Sequence, residues 1–341
     1  MVGAVSTAGL PMSRAGRWAG VLAGLALLGG VAGCAGGRPP GAARPSSSAM
    51  PVGSQQAVAA DGTARFRGGG CDAPALVAHR GEAGDGRRLP ENTWQAELDA
   101  AARGVTYLNA DVRWTADGVP VALHDATVGR TTSEPHPDTP ITALTARQYT
   151  ALEARYSTGD TSQGPIDPRV HPDTLAELLA EVAPTGKPIV LQMEADPFAP
   201  GQAGGSASGD FRALARVIAS SGYADRVIVA GWTLRDLSAL HAVDPRLTLA
   251  YLFESIHAKR YPSAAEVSAA GAHIIYADYR GIDAHWTGVW HAGGLKVWAW
   301  TPATRAAWAS LTADGVDAIA TNWSAGYLAW ESHPCSAASA V

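Results

Sequence analysis

The sequence predicts an α/β protein, a (β/α)8 TIM barrel with a β-hairpin extension after strand 2, and three observations carry that expectation. Eight short apolar runs recur after residue 75, segments with helical spacing lie between most of them, and a three-residue turn follows the second run. The runs are ALVAH (75–79), TYLNADV (106–112), IVLQMEA (189–195), RVIVAGW (226–232), LTLAYLF (247–253), HIIYADY (273–279), LKVWAWT (295–301) and DAIATN (317–322). The intervening stretches WQAELDAAARG, TLAELLAEVA, FRALARVIASSG, LRDLSALHAV and TRAAWASLTADG repeat their apolar residues at helical intervals, and several close on Gly. Only Ala116-Asp117-Gly118 separates ADVRWT from VPVALHD, which is hairpin chemistry, so the second of these segments is expected to fold back on strand 2.

The ends of the chain read differently. Arg14 and Arg17 precede the apolar run WAGVLAGLALLGGVAG, which reaches the small residues Ala32 and Gly33 before Cys34. This is a secretory signal, too short and Gly-rich for a membrane span, with Met1 or Met12 as the start. Val31-Ala32-Gly33-Cys34 resembles the lipobox of bacterial lipoproteins, which implies lipidation of Cys34 and anchoring to the outer face of the cell membrane; the alternative is an ordinary signal peptide cut nearby. Residues 34–70, rich in Gly, Pro, Ala and Ser, have too few large apolar groups to offset the entropy of ordering and read as a flexible tether. The barrel is expected over 71–335, with 336–341 a tail. Cys71 and Cys335 bracket it, and in an oxidising compartment their pairing would tie the two ends of the domain. A net charge of -5 with no run of Lys or Arg excludes a nucleic-acid-binding field.

In such barrels the reactive groups stand at the C-terminal ends of the strands. The polar residues there are His79 and Arg80, Asn109 and Asp111, and Glu194 and Asp196, while the hairpin returns His124. Side chains two apart on a strand share a face, so Asn109 with Asp111 and Glu194 with Asp196 converge on one point, an oxygen-rich site for a hard divalent cation. His79 and His124 suit proton transfer near neutral pH, and Arg80 suits a phosphate oxygen. Glu91 and Asn92 are expected to orient their loop and help cap the following helix, and Asp125, on a strand, to face away from His124 and bond to the nearby backbone or to Arg130. No G-x-S-x-G turn follows a strand, which removes the support for a serine nucleophile.

The ordered set HRG (79–81), PENT (90–93), ADVRWTADGVPVALHD (110–125), RTT (130–132), PDTLAELL (172–179) and QME (192–194) resembles the glycerophosphodiester phosphodiesterase family over about residues 75–330. The resemblance implies a (β/α)8 barrel that hydrolyses glycerophosphodiesters to an alcohol and glycerol phosphate with one divalent cation, Ca²⁺ or Mg²⁺. It implies His79 and His124 as acid and base, and Asp111 and Glu194 as metal ligands. It also implies that Trp300 faces the pocket against the alcohol part of the substrate. Asn109 stands where the family has Glu, and Asp196 where it usually has Lys, so Asp196 is a candidate for the relocated carboxylate and Asn109 for an uncharged oxygen ligand. A catalytically impaired barrel that binds a phosphorylated ligand or cell-wall polymer is the alternative that these departures support. Residues 133–171 and 197–210 read as loops, rich in Pro, Gly, Ser and Asp.

Overall fold

The structure is a computed structural model that describes residues 73–81, 89–157, 163–194 and 209–332. The expected signal peptide, the lipidated Cys34, the tether, Cys71, Cys335 and Asp196 lie outside the described residues.

The described strands are β1 (Ala75–Ala78), β2 (Leu108–Trp114), β3 (Pro120–Ala122), β4 (Ala154–Ser157), β5 (Gln163–Asp167), β6 (Ile189–Met193), β7 (Val227–Gly231), β8 (Thr248–Phe253), β9 (Ala272–Asp278), β10 (Lys296–Trp300) and β11 (Ala318–Thr321). The helices are α1 (Trp94–Ala102), α2 (Ala146–Thr150), α3 (Leu175–Val182), α4 (Phe211–Ser220), α5 (Leu234–Val243), α6 (Ala264–Ala269), α7 (Ala284–Ala292), α8 (Arg305–Ala313) and α9 (Ser324–Glu331). Each of the eight apolar runs contains one strand of the main sheet. Helices α6, α7 and α9 had no counterpart among the helical stretches named from sequence: α6 is only six residues long, and the Trp-bearing α7 and α9 have no clean apolar stripe.

The main sheet runs β1-β11-β10-β9-β8-β7-β6-β2-β3, and every pair is parallel except β2 with β3. The free edge of β1 meets the residues that lead into β2: Thr106 and Tyr107 donate their N–H groups to the Leu76 carbonyl at 3.1 and 2.9 Å, and the Ala78 N–H donates to Tyr107 at 3.0 Å. The curled sheet and its covering helices fit a TIM barrel. Most helices start on a residue whose side chain accepts an N–H of the first turn: Thr93, Thr174, Asp210, Thr233, Ser263, Asp283 and Thr304.

Two apolar layers follow from strand alternation. Leu76, Ala78, Leu108, Ala110, Val112, Leu191 and Val229 face outward and pack with Leu175, Leu179, Leu237 and Trp308 of the helices. Val77, Val190, Ile228, Ala230, Ala250, Leu252, Ile274, Tyr276, Trp298, Ala318 and Ala320 fill the interior. Alanines on β8 and β11 make room for the Tyr276 and Trp298 rings, whose centroids are 5.7 Å apart at an interplanar angle of 79°. Toward the C-terminal end of β2 and β6 the same inward face turns polar, with Asn109, Asp111, Gln192 and Glu194.

Residues 133–171 differ from the loop expected. They contain α2 and the antiparallel pair β4-β5, and Ile141 and Tyr149 build a small apolar cluster with Val121, Leu123 and Val128. The Tyr149 hydroxyl donates to the Ala122 carbonyl at 2.8 Å, so this insertion holds β3 in place. Its apolar residues are spaced too widely along the chain to reveal the cluster before folding brings them to β3.

The seam of the barrel is tied by α9. The buried Tyr327 hydroxyl donates to the Pro74 carbonyl at 2.7 Å, and its ring packs on Trp308 and Trp330 with centroids 5.2 Å from each. Tyr327→Phe removes one buried hydrogen bond and strands its acceptor. It should lower the unfolding free energy by about 1–3 kcal/mol at unchanged denaturant slope, read by urea unfolding.

Candidate active site

The site begins where β1 ends. Arg80 adopts φ 57° and Asn92 φ 56°, a left-handed conformation that non-glycine residues rarely take. Both are held by hydrogen bonds rather than by local preference. The Arg80 N–H donates to Asn109 Oδ1 at 3.0 Å, and the Asn92 N–H donates to the Arg80 carbonyl at 3.1 Å. The Asp111 N–H donates to Asn92 Oδ1 at 2.8 Å, and Asn92 Nδ2 donates to Asp111 Oδ2 at 2.9 Å. Gly81 follows at φ 64°, where a Cβ would lie 2.9 Å from the Ala96 carbonyl carbon, so the chain can pass α1 only without a side chain.

Asn109 and Asp111 are both fully buried on the inward face of β2. The Asn109 amide spans two backbone groups, accepting from Arg80 and donating from Nδ2 to the Val190 carbonyl at 3.1 Å. It therefore couples β1 to β6 through β2. Asp111 Oδ2 receives Asn92 and lies 3.1 Å from Arg80 Nε, while Oδ1 is buried with no hydrogen-bond partner among the described residues. Glu194, just beyond β6, accepts from Gln192 Nε2 at 2.6 Å. Burial first, and then the neighbouring Asp111 charge, raise the Glu194 carboxyl above its ordinary value, against the pull of His124.

These two carboxylates are the described residues at which the sequence leads one to expect a cation. Among the described residues no group of three or more His, Cys, Asp or Glu has metal-holding geometry. Two carboxylates with a free buried oxygen nonetheless fit a hard cation whose remaining positions are filled by water and phosphate, the arrangement that Mg²⁺ commonly takes.

His79 is buried beside them, its Nδ1 2.6 Å from Asn322 Oδ1 beyond β11. An amide oxygen only accepts, so Nδ1 carries the proton and Nε2 the lone pair. Burial, then the Arg80 charge, push His79 down to about 4, outweighing the pull of Asp111 and of the Asn322 bond. His124 is opposite in character. Burial and Arg80 act against its charge, yet the Asp125 bond, Glu194 and Asp111 prevail and hold it above its ordinary value. Its Nδ1 lies 2.8 Å from Asp125 Oδ1, and its carbonyl accepts from Arg113 Nε at 2.6 Å.

The contact with Asp125 corrects the expectation that this side chain faces away from His124. Strand β3 ends at Ala122, and residues 124–126 bend, so period-two alternation no longer applies to adjacent positions. The expected partner Arg130 is present: its Nε and Nη2 reach Asp125 at 2.5 and 3.0 Å.

Glu91 does more than orient its loop. It accepts from Arg130 at 2.7 and 3.1 Å, from Arg80 Nη1 at 3.4 Å and from the Ser157 hydroxyl of β4. Despite burial, which acts in the opposite sense, Arg80 and Arg130 hold its carboxyl down at about 2. A continuous path of paired charges thus runs Asp111, Arg80, Glu91, Arg130, Asp125, His124. PENT and RTT were legible as motifs, but only their juxtaposition shows that they meet. Arg113 was missed altogether, since one Arg in a strand resembles a surface residue. Trp300, at the end of β10, is half-buried over the barrel interior and donates from Nε1 to the Tyr276 carbonyl at 3.0 Å.

A profile described as the glycerophosphoryl diester phosphodiesterase family matches residues 79–324. Rat glycerophosphodiester phosphodiesterase 1 is 48% identical over 61 residues, and the human protein of that name 46% over 61 residues. Each match covers 18% of this chain and 18% of the relative, so the chain aligns with less than a fifth of the length of these curated relatives. The solved phosphodiesterase of Oleispira antarctica in complex with the product sn-glycerol-3-phosphate aligns with TM-score 0.61 and 21% identity, covering 76% of this chain and 96% of that one. The glycerophosphodiester phosphodiesterase of Agrobacterium tumefaciens aligns with TM-score 0.57 and 19% identity, covering 75% and 99%. At such identities these two structures share the fold.

Asn109→Ala removes both bonds that the amide makes and should cost about 1–3 kcal/mol of stability in urea unfolding. Glu91→Gln tests the charge path through pH. The folded Glu91 lies near 2 against an ordinary 4.5, so its contribution is complete above 4.5 and is lost as pH falls toward 2. The substitution should cost up to about 3 kcal/mol at pH 7, and the gap between variant and wild type should close as pH drops through that window.

Proposed function

The chain belongs to the glycerophosphoryl diester phosphodiesterase family, and on that premise we propose that it hydrolyses a glycerophosphodiester to an alcohol and glycerol phosphate. The observation that carries this reading is the pair of unlike histidines beside two buried carboxylates: His79 is held neutral, His124 is biased toward its charged form, and both feel Asp111.

That asymmetry supports assigning His79 as base and His124 as acid. His79 Nε2, with Nδ1 fixed by Asn322, takes the proton of the attacking hydroxyl, whether of water or of the neighbouring glycerol carbon. The new P–O bond forms as the P–O bond to the alcohol breaks, and the departing alkoxide takes the proton of His124; where the glycerol hydroxyl attacks, the product is a cyclic phosphate, which water then opens to glycerol phosphate. Asp125 keeps the charged imidazole in place beforehand, and Arg113 fixes the backbone that carries it. Arg80 offers a positive charge to a phosphate oxygen while its other contacts hold it against Asp111 and Glu91. A divalent cation, Ca²⁺ or Mg²⁺, bound by Asp111 and Glu194 would neutralise phosphate charge there, and Asp196 is the further carboxylate that the sequence offers. Asn109 supports this site through its two backbone bonds rather than by charge. Lipidation at Cys34 would hold the site at the outer surface of the cell membrane.

Release of alcohol from glycerophosphodiesters, assayed with added Ca²⁺ or Mg²⁺, should be abolished by chelation and lowered at least about 100-fold in His79→Ala and His124→Ala. kcat/KM should rise as pH passes about 4, where His79 becomes neutral, and fall above 6.5 as His124 loses its proton. A protein that binds glycerophosphodiesters with either metal present yet turns none over would replace this reading with that of a binding barrel, the role that an uncharged Asn109 favours.

A further inference from the structure

Asp111 and Tyr276 stand on opposite sides of the barrel. From β2 the sheet runs through β6, β7 and β8 to β9, and the other way through β1, β11 and β10 to β9, so the two strands face one another across the interior. Tyr276 is an inward position of β9, as Asp111 is of β2. An eight-stranded barrel is only wide enough for side chains to fill, so inward groups on opposite strands act in one small space.

Tyr276 is fixed at every point but one. Its ring packs edge-on against Trp298, with centroids 5.7 Å apart, and its carbonyl accepts from Trp300 Nε1 at 3.0 Å. The side chain is fully buried, yet its hydroxyl has no hydrogen-bond partner among the described residues. A buried hydroxyl without a partner is costly, and a phenylalanine ring would fill the same space without that cost. Burial, and after it the Asp111 charge, raise the hydroxyl above its ordinary value, so it stays an O–H that can both donate and accept.

The carboxylate across from it is in the same condition, for Asp111 Oδ1 is buried and unpartnered among the described residues. The two oxygens are not bonded to each other, so a group that satisfies both has to reach each of them. With Asp111 and Glu194 as protein ligands, a hard cation completes its shell with water and phosphate oxygens. A water on a cation turns its hydrogens outward and needs acceptors. The Tyr276 oxygen is one. The buried Trp232 Nε1, also unpartnered among the described residues, is not, because an indole N–H only donates.

Resting on the phosphodiesterase reading and the cation it requires, we propose that Tyr276 is a positioning residue of the cation site: its hydroxyl accepts a hydrogen bond from a water in the shell of the cation that Asp111 and Glu194 hold. The consequence is a choice between metals. Mg²⁺ keeps its waters in a near-octahedral shell, so a water fixed from across the barrel counts for it, whereas Ca²⁺ takes a larger and more flexible shell and loses little when one water is freed. Tyr276 therefore favours Mg²⁺.

The test is Tyr276→Phe, read by calorimetric titration of the substrate-free protein with Mg²⁺ and with Ca²⁺, beside urea unfolding in a chelator. The variant should bind Mg²⁺ about 10–100-fold more weakly and Ca²⁺ less than about 3-fold more weakly, with metal-free unfolding unchanged or moved to higher urea. Unchanged Mg²⁺ affinity overturns the assignment, and so does a metal-free destabilisation with equal losses for the two ions, which a hydroxyl serving packing alone would give. Equal losses at unchanged metal-free stability overturn the preference for Mg²⁺ and keep the positioning role. Binding of neither ion by wild type overturns the cation site and the place of Tyr276 in it. Metal binding without turnover of any glycerophosphodiester overturns the phosphodiesterase reading instead, while the affinities still decide Tyr276.

Discussion

Burying a charge is costly unless another charge answers it, and in this protein six groups answer one another in sequence. Asp111 is held by Arg80, Arg80 by Glu91, Glu91 by Arg130, Arg130 by Asp125 and Asp125 by His124. Removing Glu91 or Arg130 leaves each of its two neighbours with one ionic partner in place of two. It also fixes geometry. Arg80 and Asn92 sit in left-handed backbone conformations that their side chains do not favour, and the bonds to Asn109 and Asp111 are what keep them there.

The path links elements that the barrel alone would not align. Glu91 comes from the segment before α1, Arg130 and Asp125 from the segment after β3, and Ser157 from the β4-β5 insertion. The insertion packs Tyr149 and Ile141 against Val121 and Leu123, so the apolar cluster sets the position of β3 and, through it, that of His124. Packing at the rim and charge at the centre thus act on the same histidine. The contrast between His79 and His124 follows from their partners. One faces an amide oxygen, which fixes a neutral tautomer, and the other faces a carboxylate, which favours the charged ring.

How far the site was legible varies residue by residue. Asp111 and Glu194 were legible because inward-facing carboxylates at strand ends have few structural uses. Asn109 was legible as a departure but not as a bridge from Arg80 to Val190, since neither partner is a neighbour in sequence. Asp125 was misjudged because alternation was extended three residues past the end of β3. Trp300 was singled out while Trp232, whose ring meets it at 5.6 Å between centroids, was not, for the two stand on strands separated by two others.

Periodicity, turn chemistry and short-range order make the eight-stranded α/β architecture, the turn at Asp117-Gly118 and the residue types at the strand ends readable along the chain. Which of those residues meet emerges in three dimensions: the charge path through Glu91, the opposite characters of the two histidines and the indole pair of Trp232 and Trp300. The physical reason is one of range. Periodicity is written within a strand or helix, whereas the pairing of buried charges and rings depends on where the closed sheet brings distant strand ends together.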